Sequence, residues 1–376
     1  MKLFYIVNAR IPTEKAHGYQ IVKMCEEFAK TGCDVELVAP SRSNDIKQDL
    51  FQYYGIKRIF KFKIIKSADF LKYDRIIGKA GLYLQWLFFT LKMLFIKIDK
   101  DTLIYTRDQG AVWAFSLRGY KVCYECHGWF EKKTGLILPL LKRANWMIIT
   151  NNFIKNQFVK HKFDANKILV APNGVDLEKF DIKENQEECR KKLNLPLDKK
   201  IVLYTGHLYE WKGVTTLAAS SVSLDEDTFI IFVGGTKEDI ERFKSEILNL
   251  KSKIWVVGHR PHSEIPYWLK AADVLVLPNS AKEEISKFWT SPIKMFEYMA
   301  SKRPIMASDL PSIREILNEG NAILVQPDNP QGLAEGIRKV LENKNLAEKI
   351  SARAFRDVQN YTWQKRVKKI LEFINL

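Results

Sequence analysis

The sequence has few cysteines, no run of about 20 apolar residues of the kind that spans a membrane, and no phosphate-loop fingerprint. Its five cysteines are odd in number and scattered, which argues against a disulfide scaffold and favours a reducing cytosol. The apolar run 3–7 is shorter than the core of a secretory signal, and no cleavage site follows, so export is not expected. Because GxGxxG and GxxxxGK(S/T) are both absent, a dinucleotide dehydrogenase or P-loop enzyme loses its main support.

Positive charge is in excess, with 60 Lys and Arg against 44 Asp and Glu, a formal charge of +16. A large net charge gives information about the partners that a protein binds rather than about its fold. Half of it, +8, lies in the window 51–100, which also contains the apolar segment 80–96. On a helical wheel Gly81, Gln85 and Lys92 share one narrow face of this segment. Three interpretations stay open: a core helix with a solvated basic flank, a helix lying on an anionic membrane, and a transmembrane span.

Short apolar segments alternate with helical patterns along the chain, which predicts an α/β protein with parallel sheets. The length favours two domains, with the polar stretch 181–200 between two α/β series. The final segment, 363–376, has the apolar spacing of an amphipathic helix. Strands are predicted at 1–7, 35–38, 102–105, 121–125, 146–150 and 168–171, and then at 201–204, 228–233, 254–257, 274–277, 304–307 and 322–325.

Two segments of the second half have features of an anion site. After the strand 201–204 comes a loop with Gly206 and Lys212, where backbone can approach a ligand and a lysine can reach phosphate. Further on, Ser291 as N-cap with Pro292 at the first helical position predicts a helix whose free amides can bind an anion. Because ligands bind at the carboxyl ends of parallel strands, both segments are candidates for a binding site.

Nine short segments follow one another along the chain: APNGVD at 171–176, YTGHL at 204–208, WKG at 211–213, FVGG at 232–235, VG at 257–258, ADV at 272–274, LP at 277–278, SPIKMFEYMA at 291–300 and ASD at 307–309. Taken in this order, they resemble the retaining nucleotide-sugar glycosyltransferases of family 4, which have the GT-B fold. The resemblance is dense from about 167 to 340 and thinner before it. It implies two Rossmann-like domains whose parallel sheets face each other across a cleft. The implied parts are an acceptor domain at 1–180, a donor domain at 181–355, and a C-terminal helix at 356–376 that crosses back to the first domain.

The resemblance implies roles for donor-binding residues. Lys212 matches the lysine that binds the donor diphosphate, and His207 stands where many members have an arginine for the same task. Glu297 matches the second Glu of a Glu-x7-Glu motif and would hold the donor ribose. The first Glu of that motif falls at Trp289, so Glu283, Glu284 or the amides at Ser291–Ile293 could take its place. The remaining implied donor contacts are Gly18, Gly206, Gly235, His259, Arg260, Ser291, Pro292 and Ile293, with His259 and Arg260 in the nucleobase region.

Catalysis is expected to involve His127, which looks like the family histidine near the transferred sugar, together with Lys212 and Glu297. On the acceptor side we expect His17, Arg107 and Asp108. The resemblance implies that the acceptor attacks from the leaving-group face, so no second carboxylate nucleophile is needed. The absence of a DxD-type acid pair at the end of a predicted strand favours metal independence, and no cofactor is expected besides the donor, a UDP or GDP sugar.

Two other functions remain as alternatives: another GT-B enzyme such as a nucleotide-sugar epimerase, and a basic nucleic-acid-binding protein. No helix-turn-helix, zinc finger or RNP-like motif supports the second alternative, and nucleic acid is not an expected partner. Segment 123–127 matches the CxxCH haem-attachment pattern but lies on a predicted strand. The expected partners are a nucleotide sugar, a glycan or lipid-linked acceptor for surface polysaccharide or glycolipid synthesis, and an anionic membrane contacted through 51–100. These expectations place the protein in the cytoplasm, peripheral on the inner face of the cell membrane.

Overall fold

The computed structural model describes residues 1–73, 78 and 80–374. The chain divides into two compact units: unit 1 is Met1–Pro172 with Trp363–Leu376, and unit 2 is Asn173–Thr362. The domain boundaries that the sequence predicts after residues 180 and 355 therefore lie after Pro172 and Thr362 instead. Phe180 packs into the core of unit 2, and the residues after 355 continue a helix of that same unit.

Unit 1 is built on a parallel sheet with seven strands in the described part of the chain, in the order β3-β2-β1-β4-β5-β6-β7. The strands are β1 (Lys2–Ile6), β2 (Asp34–Pro40), β3 (Lys61–Ile65), β4 (Leu103–Thr106), β5 (Val122–Cys126), β6 (Trp146–Ile149) and β7 (Ile168–Val170). Its α-helices are Ala16–Lys30, Leu50–Tyr54, Ala80–Met93, Gln109–Leu117, Thr134–Leu141, Asn152–Lys160 and Trp363–Phe373. The central strands are buried on both faces, as parallel sheets covered by helices require.

Unit 2 has a parallel sheet with six strands among its described residues, in the order β10-β9-β8-β11-β12-β13. The strands are β8 (Lys200–Thr205), β9 (Thr228–Val233), β10 (Ile254–Gly258), β11 (Val274–Leu277), β12 (Ile305–Ser308) and β13 (Ile323–Val325). Its α-helices are Leu177–Phe180, Gln186–Lys192, Val214–Ser220, Lys237–Glu246, Ile265–Ala271, Ile293–Ala300, Pro311–Arg314, Pro330–Glu342 and Lys344–Val358, with a π-helix at Ile285–Trp289.

The strand orders confirm the expected Rossmann-like architecture and locate its binding edges. In each sheet the order reverses once, between β1 and β4 in unit 1 and between β8 and β11 in unit 2. Open α/β sheets bind ligands at that reversal, outside the carboxyl ends of the strands. The C-terminal helix Trp363–Phe373 belongs to unit 1 and packs on the helix Ala16–Lys30, so its predicted return to the first domain is confirmed.

The helix Ala80–Met93 buries Phe89 and Met93 together with the polar side chains of Gln85 and Thr90, and it leaves a second apolar face exposed. Gly81 and Gln85 are buried, and the Gln85 side-chain oxygen accepts a hydrogen bond from the Phe70 amide at 3.1 Å. The face turned to the outside is apolar; its exposed large side chains are Leu82, Tyr83, Leu84, Leu87, Phe88 and Leu91. The helix is therefore not enclosed by its own unit. Arg75 and Lys79, part of the basic window, lie outside the described residues, and none of the described helices is long and apolar enough to cross a membrane.

Candidate active site

The loops that follow β8 and β11 are held together by glycine backbone. A Cβ on Gly213 would stand 1.8 Å from the carbonyl oxygen of Pro278, and Gly213 has φ +68°. A Cβ on Gly234, after β9, would stand 2.4 Å from the carbonyl oxygen of Gly206. Only glycine allows such close approach, so these loops form one compact edge at the strand-order reversal of unit 2.

Lys212 lies at this edge and is half-buried. Its Nζ lies over the Trp211 ring, 3.7 Å from the centroid, and makes no hydrogen bond or ion pair within the described part of the chain. Burial lowers the pKa of Lys212 to about 7. An anionic ligand would stabilise the charged form of this half-buried lysine, because it would replace the hydration that burial removes.

His207 follows β8 but is already engaged by a carboxylate. Its Nδ1 lies 3.2 Å from Asp239 Oδ2, and its ring stacks on Tyr209 at 5.0 Å between centroids. Burial opposes ionisation of Asp239, but hydrogen bonds from Thr236 and His207 hold the pKa of Asp239 below its usual range. The residue that stands in place of an arginine is thus fixed within the unit by an acidic partner.

The helix Ile293–Ala300 begins one residue later than the sequence predicts. Pro292, not Ser291, occupies the N-cap position, and no side chain caps the helix. Ser291 is instead engaged by Asn173: its carbonyl accepts from the Asn173 side-chain amide at 2.7 Å, and its Oγ accepts from the Asn173 backbone at 3.4 Å. The prediction that Ser291 caps this helix is therefore wrong, because the hydroxyl and carbonyl oxygens of Ser291 accept hydrogen bonds from Asn173 instead. The first-turn amides of the helix remain without a capping side chain.

Glu297 lies on this helix and is buried, with its Oε1 2.7 Å from His262 Nε2. Its Oε2 has no hydrogen-bond partner within the described residues, so one oxygen is held and the other is available to a ligand. Trp289, at the first-Glu position of the motif, is buried at the end of the π-helix. Glu283 and Glu284, the residues considered as substitutes, are both exposed.

A second lysine, Lys294, is close enough to Lys212 for their charges to interact, and the sequence alone does not single it out. Its side chain is buried, and its Nζ donates a hydrogen bond to the Thr205 carbonyl at 2.8 Å. Burial, followed by repulsion from Lys212, holds the pKa of Lys294 well below its usual range. His262 is not predicted either, because a lone histidine in a polar loop belongs to no motif. Lys294 belongs to the SPIKMFEYMA segment, but the sequence does not show that its side chain is buried.

The other predicted donor contacts lie at the carboxyl ends of the strands of unit 2. Gly206 follows β8 with φ +122°, and Gly235 follows β9 with φ +90°. His259 and Arg260 follow β10 and are exposed, with Arg260 donating to the His259 carbonyl at 3.2 Å. The structure thus brings these residues to the same sheet edge as Lys212, and their roles in donor binding stay predictions.

In unit 1 a buried carboxylate, Glu125, organises the surroundings of His127. Glu125 Oε1 lies 2.8 Å from His127 Nε2 and accepts from Gln20 at 2.8 Å and from Arg366 at 2.6 Å. Tyr5 donates to Oε2 at 3.0 Å. Despite burial, Arg366 and then His127 hold the pKa of Glu125 well below its usual range. Glu125 therefore remains ionised and fixes the orientation of His127.

His127 itself is kept neutral. Burial, and then the charge of Arg107, lower the pKa of His127 to about 4, although Glu125 opposes the shift. His17 responds in the same way: burial and Arg107 lower its pKa to about 3. The Arg107 Nη1 donates to the Gln20 side chain at 2.9 Å, so these residues share one polar cluster near the ends of β4 and β5.

Two predicted residues of unit 1 have structural tasks. Asp108 is buried and caps the helix Gln109–Leu117 by accepting from the Ala111 amide at 2.8 Å. Gly18 is buried in the first turn of the helix Ala16–Lys30, where a Cβ would stand 2.2 Å from the Tyr54 hydroxyl. Helix capping therefore explains the aspartate at 108, and close packing explains the glycine at 18. Their contacts with acceptor or donor stay predictions.

Two family models match successive parts of the chain. The model described as Glycosyltransferase Family 4 matches residues 18–179, and the model described as Glycosyl transferases group 1 matches residues 185–357. Together they cover most of both units in the order that the sequence resemblance implies.

Among curated proteins, the chain is 25% identical over 245 residues to an uncharacterized glycosyltransferase of Methanocaldococcus jannaschii, covering 64% of this chain and 60% of that protein. The chain spans 60% or less of the length of the first curated relatives it matches.

Solved structures show the same fold. HepE of Anabaena in complex with UDP-glucose has a TM-score of 0.77 and 18% identity, with 100% of this chain and 99% of that chain covered. WaaG, a glycosyltransferase involved in lipopolysaccharide biosynthesis, has a TM-score of 0.73 and 14% identity, with 100% and 99% covered. The fold is therefore GT-B, and the chain belongs to the family 4 glycosyltransferases.

Proposed function

We propose that the protein is a retaining, metal-independent glycosyltransferase that moves a sugar from a nucleoside diphosphate sugar to a lipid-linked or saccharide acceptor. The observation that carries this proposal is Lys212, a half-buried lysine with no ion pair among the described residues, at the binding edge of unit 2. Its depressed pKa of about 7 favours binding of an anion. Glu297 lies on the neighbouring helix with one carboxylate oxygen available for hydroxyl groups.

The reaction breaks the bond between the sugar's anomeric carbon and the diphosphate oxygen. Positive charge develops on the sugar and negative charge on the leaving diphosphate, which Lys212 and the first-turn amides of the helix Ile293–Ala300 would stabilise. The acceptor hydroxyl forms the new bond from the leaving-group face, and its proton passes to the departing phosphate oxygen. This course conserves the anomeric configuration and needs no carboxylate nucleophile, unlike retaining glycosidases.

His127 would contact the sugar as a neutral hydrogen-bonding group. Because its pKa is lowered to about 4, it carries no charge at neutral pH that would oppose the positive sugar. Glu125 holds its Nε2 at 2.8 Å, which leaves Nδ1 as the ring nitrogen for a substrate hydroxyl. Arg107 and His17, in the same cluster, are the proposed acceptor-side contacts, together with Asp108.

The donor and acceptor classes draw support from the structural neighbours. HepE was solved with UDP-glucose, so a UDP sugar is the first donor to test, with GDP sugars beside it. WaaG takes part in lipopolysaccharide biosynthesis, which agrees with an acceptor in surface polysaccharide or glycolipid synthesis.

A membrane-borne acceptor would also account for the outward apolar face of the helix Ala80–Met93. Its exposed leucines and aromatics are flanked by exposed lysines, among them Lys66, Lys92 and Lys97. Apolar side chains that enter the headgroup region beside basic residues are typical of peripheral contact with an anionic leaflet. Since the cytoplasmic leaflet carries the anionic lipids, the protein would sit on the inner face of the cell membrane.

A panel of UDP, GDP and other nucleotide sugars tests the donor assignment, because a bound ligand raises the thermal unfolding midpoint by mass action. The selected donor is then incubated with octyl glycosides of several sugars as acceptors. NMR of the product is expected to show the anomeric configuration of the donor; an inverted product would contradict the retaining course. If no nucleotide sugar raises the midpoint, the proposed function is wrong.

Membrane contact is tested separately by sedimentation with phosphatidylcholine vesicles that contain or lack phosphatidylserine. Binding is expected only with phosphatidylserine, and it should be lost in a Leu87→Asp, Phe88→Asp double variant. The matched control is Leu197→Asp, another exposed leucine, which lies in unit 2. Equal binding by the double variant and the control would contradict the role of this face.

A further inference from the structure

Lys294 is a buried lysine that lacks the acidic partner such a residue normally requires. Its side chain is 9% exposed, and in the described part of the chain no carboxylate lies within ion-pair distance of its Nζ. The ammonium makes one hydrogen bond, to the Thr205 carbonyl, and lies 3.5 Å from the centroid of the Tyr204 ring. An ammonium has three donors, so this one is only partly satisfied.

The position of Lys294 links it to the phosphate-binding loop after β8. Its Nζ would lie 3.4 Å from a Cβ placed on Gly206, so the amine lies next to the loop backbone at this glycine. The field of Lys212 acts on Lys294 and disfavours its charged form, and attraction from Glu297 offsets this only in part. Two lysines that repel each other beside one loop leave a site that a polyanion would stabilise.

We propose that Lys294 is a second cation of the donor diphosphate site, acting next to the loop at Gly206 in concert with Lys212. The proposal rests on the function proposed above, since it assigns a further residue to that same donor site. His207, which also follows β8, is paired with Asp239 at 3.2 Å, so the pair offers little net positive charge to a diphosphate. Lys294 would add a second positive charge from the helix Ile293–Ala300.

A purely structural role for Lys294 and a role in anion binding predict different effects of replacing this residue. A lysine kept for packing would stabilise the fold, so its replacement would lower the thermal midpoint. A lysine kept for anion binding is costly to bury, so a neutral side chain of similar length should leave the midpoint unchanged or raise it. Binding of an anionic ligand would weaken at the same time. The two roles are therefore separated by measuring stability and affinity on the same variants.

The test uses the full chain and two variants of Lys294 that differ in whether the new side chain can still donate a hydrogen bond. Lys294→Met removes charge and hydrogen bonding, whereas Lys294→Gln removes charge but keeps a donor for the Thr205 carbonyl. Lys302→Met is the matched control, because Lys302 is exposed and paired with Asp181 at 3.1 Å. Calorimetry measures the affinity for UDP, GDP, UMP and GMP, and circular dichroism measures the thermal midpoint.

Both Lys294 variants are expected to bind the preferred nucleoside diphosphate about tenfold or more weakly than wild type, as for loss of a charged contact. The matching monophosphate should lose less affinity, the midpoint should not fall, and the control should behave as wild type. A loss of diphosphate affinity below about threefold overturns the inference while the donor assignment stands. Unfolding of both variants at the assay temperature overturns it too, because Lys294 is then structural. If wild-type protein binds neither UDP nor GDP, the donor assignment fails and this inference fails with it.

Discussion

Replacing Arg366 with methionine should destabilise unit 1 strongly, because it leaves a buried carboxylate without its cation. The Arg366 and Glu125 side chains are 3% and 0% exposed, and their Nη2 and Oε1 atoms are 2.6 Å apart. The Arg366 Nε also donates to the carbonyl of Pro172 at 3.0 Å. Arg366 lies on the C-terminal helix and Glu125 on β5, so this pair attaches the helix to the sheet.

The expected cost follows from that burial. Removing one partner of a buried ion pair typically lowers the free energy of unfolding by about 3–5 kcal/mol. For a unit of this size, each kcal/mol corresponds to about 2–4 °C, so the thermal midpoint should fall by about 6–20 °C. Because Tyr5, Gln20 and His127 still contact Glu125, the lower part of this range is expected.

The assay is urea unfolding followed by circular dichroism, with hydrogen exchange of the helix Ala16–Lys30 to localise the loss. Lys368→Met is the matched control on the same helix, since Lys368 is exposed and 4.0 Å from Glu372; its effect should stay below about 0.5 kcal/mol. Adding Glu125→Gln to Arg366→Met removes the uncompensated charge and should recover part of the loss. A single variant within about 1 kcal/mol of wild type, or a double variant no more stable than the single, would refute this reasoning.

Three further predictions concern titration and positioning. Because the folded pKa values of His17 and His127 are lowered to about 3 and about 4, the unfolded state takes up protons first as pH falls below 6.5. The free energy of unfolding should therefore decrease from pH 7.5 to pH 5 by on the order of 1–3 kcal/mol in urea titrations, and less in His127→Gln. Donor affinity should fall as pH rises above about 7, the pKa of Lys212 in the free protein, when measured by calorimetry. His262→Ala should raise the donor KM about tenfold and change kcat less, because His262 holds Glu297 at 2.7 Å.

Each of these predictions has a contradicting result. Stability that is flat between pH 7.5 and pH 5 would mean that the histidines of unit 1 are not kept neutral. If donor affinity does not change between pH 6 and pH 9, Lys212 does not bind the donor phosphates. A His262→Ala variant with unchanged KM would show that Glu297 is positioned without its help.

Most strands could be predicted from the sequence because they are buried on both faces and appear as short apolar runs. β3 was missed since it is the edge strand of unit 1, with Lys61 and Lys63 exposed on it. The helix Ile293–Ala300 was predicted, but its N-cap was placed one residue early, because only the fold brings Asn173 to Ser291.

The candidate site was predicted where residues belong to a motif and missed where tertiary packing brings them in. Lys212 and Glu297 stand in motifs, and both lie at the binding edge of unit 2. His262 reaches Glu297 from 35 positions away, which no local pattern reveals. Lys294 stands inside a recognisable motif, but its burial without a carboxylate becomes visible only in three dimensions. The inward direction of Gln85 likewise depends on its contact with Phe70.

The most direct test of the central claim is the rate of transfer from the selected nucleotide sugar to an octyl glycoside by Lys212→Ala and Glu297→Ala. Both variants should keep the wild-type circular dichroism spectrum and lose about 10²–10³-fold or more in kcat/KM, as when a preorganised electrostatic contact is removed. The control Lys302→Met should retain wild-type activity. Transfer at the wild-type rate by either Lys212→Ala or Glu297→Ala would contradict the assignment of the donor site to this edge of unit 2.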